Sequence, residues 1–354
     1  MKTDTLIVGG GLAGLSLASL LQAAGQDYQL VEARTRLGGR IKTELFENGY
    51  FDMGPAWFWP GQPRIAALVS ELGLSRFDQH AAGDLMFEDP TGEVQRGRGY
   101  ASMQGSYRLV GGLQAMVNAV AGQIPENRLA TGTEVTRLER KQDGIAATFA
   151  DGRDIDAKKV VLALPPRIAG KTISFGGDLS ESTLHAMSQI PTWMAGQAKA
   201  LAVYDTAFWR DDGLSGDAMS RRGPMVEIHD ASPANGGPYA LFGFIGLPAH
   251  ARQDQKMLKS PIISQLGRLF GPAATKPRAL YLKDWAHDRF SATELDQVPV
   301  YAHPQYGLPS ALSGLWNNRL HFGSTEIANG FGGYLEGALE AAELTAQTLL
   351  NDTR

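Results

Sequence analysis

The chain has 354 residues, a formal net charge of −4, 43% hydrophobic and 20% charged residues. That is an ordinary soluble globular composition, long enough for two domains and a large core. The slightly acidic balance shows no basic stripe and argues against a nucleic-acid partner. The lack of any cysteine excludes disulfides, cysteine metal sites and cysteine nucleophiles.

No apolar run is long enough to span a bilayer. The start carries one Lys and then a strand rather than a signal-peptide hydrophobic segment. A cytoplasmic protein without a membrane anchor is expected. The 42 glycines imply many tight turns. No repeat or low-complexity tract is present.

In chain order, Leu6-Ile7-Val8 runs into Gly9-Gly10-Gly11-Leu12-Ala13-Gly14. Leu15 to Ala24 has helical spacing, and a second apolar run, Tyr28 to Val31, ends in Glu32. Strand, glycine turn, helix, strand and acid in this order are what a dinucleotide site requires. Gly9 allows the tight turn, Gly11 lets backbone N–H groups reach a pyrophosphate, and Gly14 lets helix and strand pack closely. The helix N-terminus supplies partial positive charge, and Glu32 would accept from ribose hydroxyls. The bland alternative is a glycine-rich turn with no ligand.

Ile65 to Leu72 predicts a helix capped at Gly73. Asp84–Phe87 and Glu93–Gln95 read as short strands, and Leu113 to Val120 as a helix. Thr133 to Leu138 and Gly144 to Phe149 alternate like paired strands, with a turn at Asp151-Gly152. Lys159 to Leu164 is a continuous apolar strand stopped by Pro165-Pro166. From Ile190 to Trp285 the chain is strand-rich, with central strands at Ala195 to Tyr204 and Tyr239 to Ile245 and one helix, Ile262 to Phe270. Leu335, Leu339, Ala342, Ala346 and Leu349/Leu350 form the stripe of a buried helix starting near Gly333.

Glu32-Ala33-Arg34 followed by Leu37-Gly38-Gly39-Arg40 resembles the flavin-containing amine oxidase family, the monoamine oxidase superfamily. So does Gly323-Ser324-Thr325-Glu326 followed by Gly332-Gly333-Tyr334-Leu335-Glu336-Gly337-Ala338. The first pattern alone would allow NAD; the Gly-Gly-Arg element favours FAD. The resemblance covers nearly the whole chain. It implies an α/β fold: an FAD-binding Rossmann-like domain of the glutathione-reductase type with a strand-rich α+β substrate domain. Residues 1–75, 107–188 and 288–354 would form the first, and 76–106 with 189–287 the second.

The resemblance assigns a set of residues to the cofactor. In the first FAD segment these are Gly9, Gly11, Ala13, Gly14, Glu32, Ala33, Arg34, Gly38, Gly39 and Arg40, followed by Gly54, Pro55, Ala56 and Trp57. Further along they are Val135, Trp285, Glu326, Gly333, Tyr334, Leu335 and Ala338. Val135 falls where the family places backbone against adenine; taken alone it is a buried strand residue. The N-terminus of the last helix would face the negative charge of a reduced flavin. With no cysteine, a thioether link is excluded and non-covalent FAD is expected.

Lys199, Tyr334 and Trp285 are the residues implied for chemistry. A charge in the middle of an apolar strand is unusual. Against an edge strand with Lys199 facing solvent stands the resemblance of this strand and Phe208-Trp209 to the segment carrying the family's active-site lysine, which assists reaction with oxygen. Tyr334 matches one wall of an aromatic cage that guides the amine. Counting without a gap from Trp285 puts Glu294 at the position of the covalent cysteine and Leu295 at that of the second cage tyrosine. Trp57, Trp59, Tyr301 and Tyr306 are the aromatics available to replace it, each also readable as packing. His303 reads as structural. No metal spacing such as HExxH and no Gly-x-Ser-x-Gly elbow occurs.

The segment before Gly111 is only about thirty residues long, where relatives with large chambers carry a helical insertion; a more open site is expected. The implied reaction is oxidation of an amine C–N bond with O2 as acceptor; a homodimer is compatible with it. Alternatives are a flavin desaturase or dehydrogenase, an amino-acid oxidase using Arg98, Arg108, Arg221 or Arg222 for the carboxylate, and a non-enzymatic FAD scaffold.

Overall fold

The computed structural model describes residues 2–298, 300 and 302–351. Two seven-stranded sheets organise it. The first has the order Val135–Lys141, Gly144–Phe149, Asp154–Leu162, Lys2–Val8, Tyr28–Val31 and Leu129–Ala130, with Leu320–Phe322 added beside Asp154–Leu162. Lys2–Val8 pairs in parallel with both neighbours. The helix Leu12–Ala23 makes the crossover from Lys2–Val8 to Tyr28–Val31, the connection that parallel strands demand.

Helices cover the first sheet because its central strands are apolar on both faces. Leu12–Ala23, Leu113–Gly122 and Leu335–Asn351 pack on one face around Leu15, Leu30, Met116 and Leu339. Leu6, Val160, Leu162 and Phe322 face a second core on the other side.

The second sheet runs Ala279–Asp284, Ala198–Tyr204, Tyr239–Ile245, Met225–Asp230, Leu214–Ser220, Asp84–Glu88 and Val94–Arg96. Side chains alternate along Ala198–Tyr204. Ala198, Ala200, Ala202 and Tyr204 meet the core under the helix Gln255–Phe270. Leu201 and Val203, on the face of Lys199, meet Phe51, Met53 and Trp57. Lys199 therefore points inward, toward the segment that follows the strand Gly49–Asp52.

Most expected elements start within three residues of the observed ones, but two begin five or more residues earlier. The strand expected from Lys159 begins at Asp154. Its first half alternates exposed and buried residues against the antiparallel strand Gly144–Phe149, so it lacks the continuous apolar run of the second half. The helix expected from Ile262 begins at Gln255, with the Asp254 side chain accepting from Lys256 N–H. Pro261 lies inside it at an exposed position and removes one backbone donor from the helix.

Long-range caps fix the joints. The helix Pro63–Glu71 has no side-chain cap of its own. Glu336, fully buried in the last helix, accepts from the N–H groups of Arg64 and Ile65 at 3.0 and 2.9 Å. Asp52 accepts from Leu113 N–H at 3.0 Å and so caps Leu113–Gly122, whose N-cap is Gly112.

Candidate active site

A cavity of about 470 Å³ lies among the expected residues, within the range of cofactor and ligand sites. Most of the expected residues line it: Gly9, Gly11, Ala13, Glu32, Arg34, Gly38, Gly39, Arg40, Gly54, Pro55, Ala56, Trp57, Lys199, Trp285, Gly333, Tyr334, Leu335 and Ala338. Gly14, Ala33, Val135 and Glu326 do not. Gly14 lies behind the turn, where a Cβ would sit 2.0 Å from Gly9 O. Val135 is buried at a strand start opposite Phe149. Glu326, fully buried, forms an ion pair with Arg40 at 2.8 Å and so anchors a cavity residue from outside.

At the nucleotide end, Gly9 has φ +117°, and a Cβ there would lie 2.7 Å from Ala163 O. Only glycine meets both demands. Glu32 is 4% exposed; its two oxygens accept from Gly10 N–H at 2.7 Å and Arg34 N–H at 2.8 Å. The second glycine pair folds back onto the first: Gly38 N–H donates to Gly10 O at 2.8 Å, and Gly39 lies against Gly11. Arg36 ties this loop by donating to the carbonyls of Leu37, Gly39 and Ile41.

These residues fit a dinucleotide. A Cβ placed on Gly11 would meet no atom within 4 Å, so open space lies over the start of Leu12–Ala23. That helix has no side-chain cap, which leaves its first N–H groups for an anion. Ser324 Oγ, buried at the cavity wall, has no hydrogen-bond partner among the described residues. At the far end the start of the last helix is held open by neighbours. Thr325 Oγ1 accepts from Gly333 N–H and donates to Tyr334 O, both at 3.0 Å, while Glu340 accepts from Asn329, Gly330 and Phe331 N–H.

Lys199 is 5% exposed and sits on a strand with neighbours on both sides, which disposes of the edge-strand alternative. Its Nζ donates to Gly54 O at 2.5 Å and lies 4.6, 5.0 and 5.5 Å from the ring centroids of Phe242, Phe244 and Trp57. Burial, with a smaller push from Arg108, draws the ammonium down from its ordinary 10.5 to about 7, against the opposing pull of Asp52. Trp285 Nε1 donates to Met53 O at 2.9 Å, so Lys199 and Trp285 hold adjacent carbonyls of one segment.

Tyr334 stacks on His303 with centroids 4.9 Å apart at 17°, and meets Trp59 edge-on at 6.3 Å. His303 also bonds Gly332 O at 2.9 Å and does not line the cavity, as a structural histidine would not. Tyr306 donates to Pro191 O and packs against Gly332. Tyr301 lies outside the described residues.

The gap-free count past Trp285 fails. Leu295 is 58% exposed, and Glu294 is paired with Lys171 at the surface. The chain turns at Asp288, which Arg34 and Lys283 hold, and the residues reaching the cavity are Phe290 and Ser291. The arginines weighed for a carboxylate also stay outside it. Arg108 is buried but donates to the carbonyls of Ala231 and Ser232.

Residues not anticipated from the sequence include Met103, Trp193, Glu227 and Phe244. They come from four separate segments and carry no local motif. For Glu227 and Phe244 the one signal is sheet register, which only the paired strands reveal; Met103 and Trp193 lie in turns and carry no sequence signal.

The sequence profile of the family described as flavin containing amine oxidoreductase matches residues 12–99 and 95–350. Amine oxidase [flavin-containing] A of Equus caballus is 24% identical over 98% of this chain and 85% of its own length. Putrescine oxidase of Kocuria rosea is 23% identical over 82% of this chain and 84% of its own. Among solved structures, putrescine oxidase bound to putrescine superposes with a TM-score of 0.83 at 21% identity over 99% of both chains. Cyclohexylamine oxidase from Brevibacterium oxydans IH-35A gives 0.81 at 18% over 100% of both. Among the described residues no helix is long and apolar enough to cross a membrane. With a profile match across nearly the whole chain and a cleft shaped for a dinucleotide, the protein belongs to the flavin containing amine oxidoreductase family and is an FAD-dependent oxidoreductase.

Proposed function

We propose that the protein oxidises the C–N bond of a small-molecule amine with O2 as electron acceptor. An amine, O2 and water give an aldehyde or ketone, ammonia or a smaller amine, and hydrogen peroxide. The observation that carries this is Lys199, buried at the cavity wall on Gly54 O amid three aromatic rings. A buried ammonium is costly to keep, and here it faces a cavity where anionic oxygen would form.

FAD, when bound, supplies the two-electron acceptor. Glu32, the glycine turns and the open N-terminus of Leu12–Ala23 would hold its nucleotide half, and Trp285, Tyr334 and the last helix its ring end. The absence of cysteine supports non-covalent attachment. Tyr334, Trp59 and Phe244 offer apolar faces to an amine stem and leave its nitrogen lone pair free. Because Lys199 titrates near 7, the site does not force a positive charge against the reacting nitrogen. Since Arg98, Arg108, Arg221 and Arg222 all lie outside the cavity lining, the amino-acid oxidase alternative loses its anchors.

The test is anaerobic mixing of the FAD-loaded protein with primary amines, polyamines and amino acids while following flavin absorbance. Bleaching by an amine, with peroxide released on admitting air, is expected. A protein that amines bleach but air does not restore is a dehydrogenase, and one that no amine bleaches is not an amine oxidase.

A further inference from the structure

Trp285, Phe290 and Ser291 all line the cavity, yet the acid between them, Asp288, does not. It stands behind the wall that residues 285–291 make, and its two cationic partners come from distant parts of the chain. Arg34 Nη2 donates to Oδ1 at 2.5 Å, and Lys283 Nζ donates to Oδ2 at 2.6 Å. Arg34 lies two residues past Glu32, at the nucleotide end of the cavity. Lys283 belongs to Ala279–Asp284, an edge strand of the second sheet. One carboxylate therefore ties the nucleotide loop of the first sheet to the second sheet, beside the cofactor cleft.

The wall hangs on this joint. Asp288 Oδ1 accepts from Phe290 N–H at 3.2 Å, and Asp288 O accepts from the N–H groups of Ser291 and Ala292, both at 2.9 Å. Ser291 Oγ takes a second bond from Arg34, at 2.9 Å. The Phe290 ring lies between two guanidinium groups, Arg34 at 5.1 Å and Arg289 at 4.2 Å. At the other end the Lys283 ammonium sits 4.3 Å from the centroid of the Trp285 ring. The side chains of Arg34 and Asp288 are only 13% and 12% exposed. Burial alone would raise the Asp288 carboxyl, but Arg34 and Lys283 outweigh it and hold the group below its ordinary value. Asp288 is thus ionised at neutral pH, and its charge-assisted bonds at this depth are stronger than those of a surface pair.

We infer that Asp288 is a positioning residue for the cofactor, whose pairs with Arg34 and Lys283 latch the 285–291 wall against FAD and set how fast the non-covalent cofactor leaves. This rests on the placement of FAD proposed above and not on the identity of the substrate. Asp288 acts through Trp285, Phe290 and Ser291, which reach the cavity. Opening the joint frees Phe290 and Ser291 from the nucleotide end, while Glu32 keeps its own bonds to the N–H groups of Gly10 and Arg34.

The experiment measures FAD exchange in wild type and Asp288→Asn. Asn keeps the shape and an acceptor for Phe290 N–H but removes the charge. FAD-loaded protein is diluted and the flavin fluorescence of released cofactor is followed; FAD is then mixed with each FAD-free protein to time its uptake. Neither measurement needs an amine. Asp288→Asn is expected to release FAD roughly 10- to 100-fold faster than wild type. Its uptake of FAD should be as fast or faster, because a latch that holds the cofactor in also holds it out.

An unchanged release rate overturns the inference. Faster release with slower uptake assigns Asp288 a structural role in forming the site and overturns it too. Wild type that takes up no FAD overturns the placement on which the inference rests. Should Asp288→Asn fold poorly, Lys283→Met supplies the check. Lys283 lies outside the cavity lining, and its loss leaves the Arg34 pair but removes the other anchor. Release there should rise roughly tenfold; an unchanged rate overturns the inference.

Discussion

Lys199→Met exchanges an ammonium for a thioether of similar length in a wall made by Trp57, Phe242 and Phe244. The drop of the lysine from 10.5 to about 7 reflects the net cost of the charged form in its buried site, burial being the largest cause. At about 1.4 kcal/mol per pH unit this is about 5 kcal/mol. Methionine removes that cost but strands the carbonyl of Gly54, which returns about 1–3 kcal/mol. At pH 7 the variant should be more stable than wild type by about 2–4 kcal/mol.

The pH dependence carries the sign. Below pH 7 the lysine is charged in both states, and the folded state bears the whole cost. Between 7 and 10.5 the unfolded chain binds the extra proton, so wild-type stability rises with pH and the cost is gone near 10.5. The advantage of Lys199→Met should therefore shrink by about 2 kcal/mol between pH 7 and pH 9. Urea unfolding of both FAD-saturated proteins at these two pH values measures it. A variant less stable at pH 7, or a difference that does not move with pH, refutes the burial argument.

The same variant should lose speed with oxygen. A unit charge about 5 Å from anionic oxygen, at an effective dielectric constant of about 20, contributes about 3 kcal/mol. Reoxidation should fall roughly 100-fold, and reduction by amine far less. Equal slowing of both half-reactions in stopped flow would remove Lys199 from the oxygen step.

Two glycines separate binding from folding. Gly11→Val places its side chain in open space with the backbone at φ −75° and ψ 177°, so the fold should keep its stability to within about 0.5 kcal/mol while FAD is excluded; a variant purified with normal flavin content contradicts the placement of the dinucleotide. Gly14→Val drives a Cβ to 2.0 Å from Gly9 O and should prevent folding, read as loss of soluble protein. Glu336→Ala strips two backbone N–H groups of Pro63–Glu71 of their acceptor and should cost about 3 kcal/mol in urea unfolding; a loss under about 0.5 kcal/mol would mean that water replaces the cap.

Much of the nucleotide half was legible because its determinants are contiguous. Gly9 to Glu32 makes a strand, turn, helix and acid by local rules, and glycine's freedom at φ +117° needs no distant partner to be inferred. Tyr239–Ile245 was readable to the residue because a strand between two neighbours, packed on both faces, is a near-continuous apolar run. Lys199 stood out by the same logic, as the one charge in such a run.

Tertiary structure alone decided the rest. Leu295 left the cavity because Arg34 and Lys283 turn the chain at Asp288, an arrangement spanning some 250 positions that no count from Trp285 registers. Glu336 caps a helix more than 270 residues earlier, and in sequence it is one more acid at a helix start. Glu227 lies on a strand whose exposed and buried positions look unremarkable. Its place in the cavity comes from register, which sets it beside Phe244. Local sequence sets backbone conformation through short-range sterics and hydrogen bonding. Which side chains share a cavity depends on how strands pair, and that is settled by burial summed over the whole sheet.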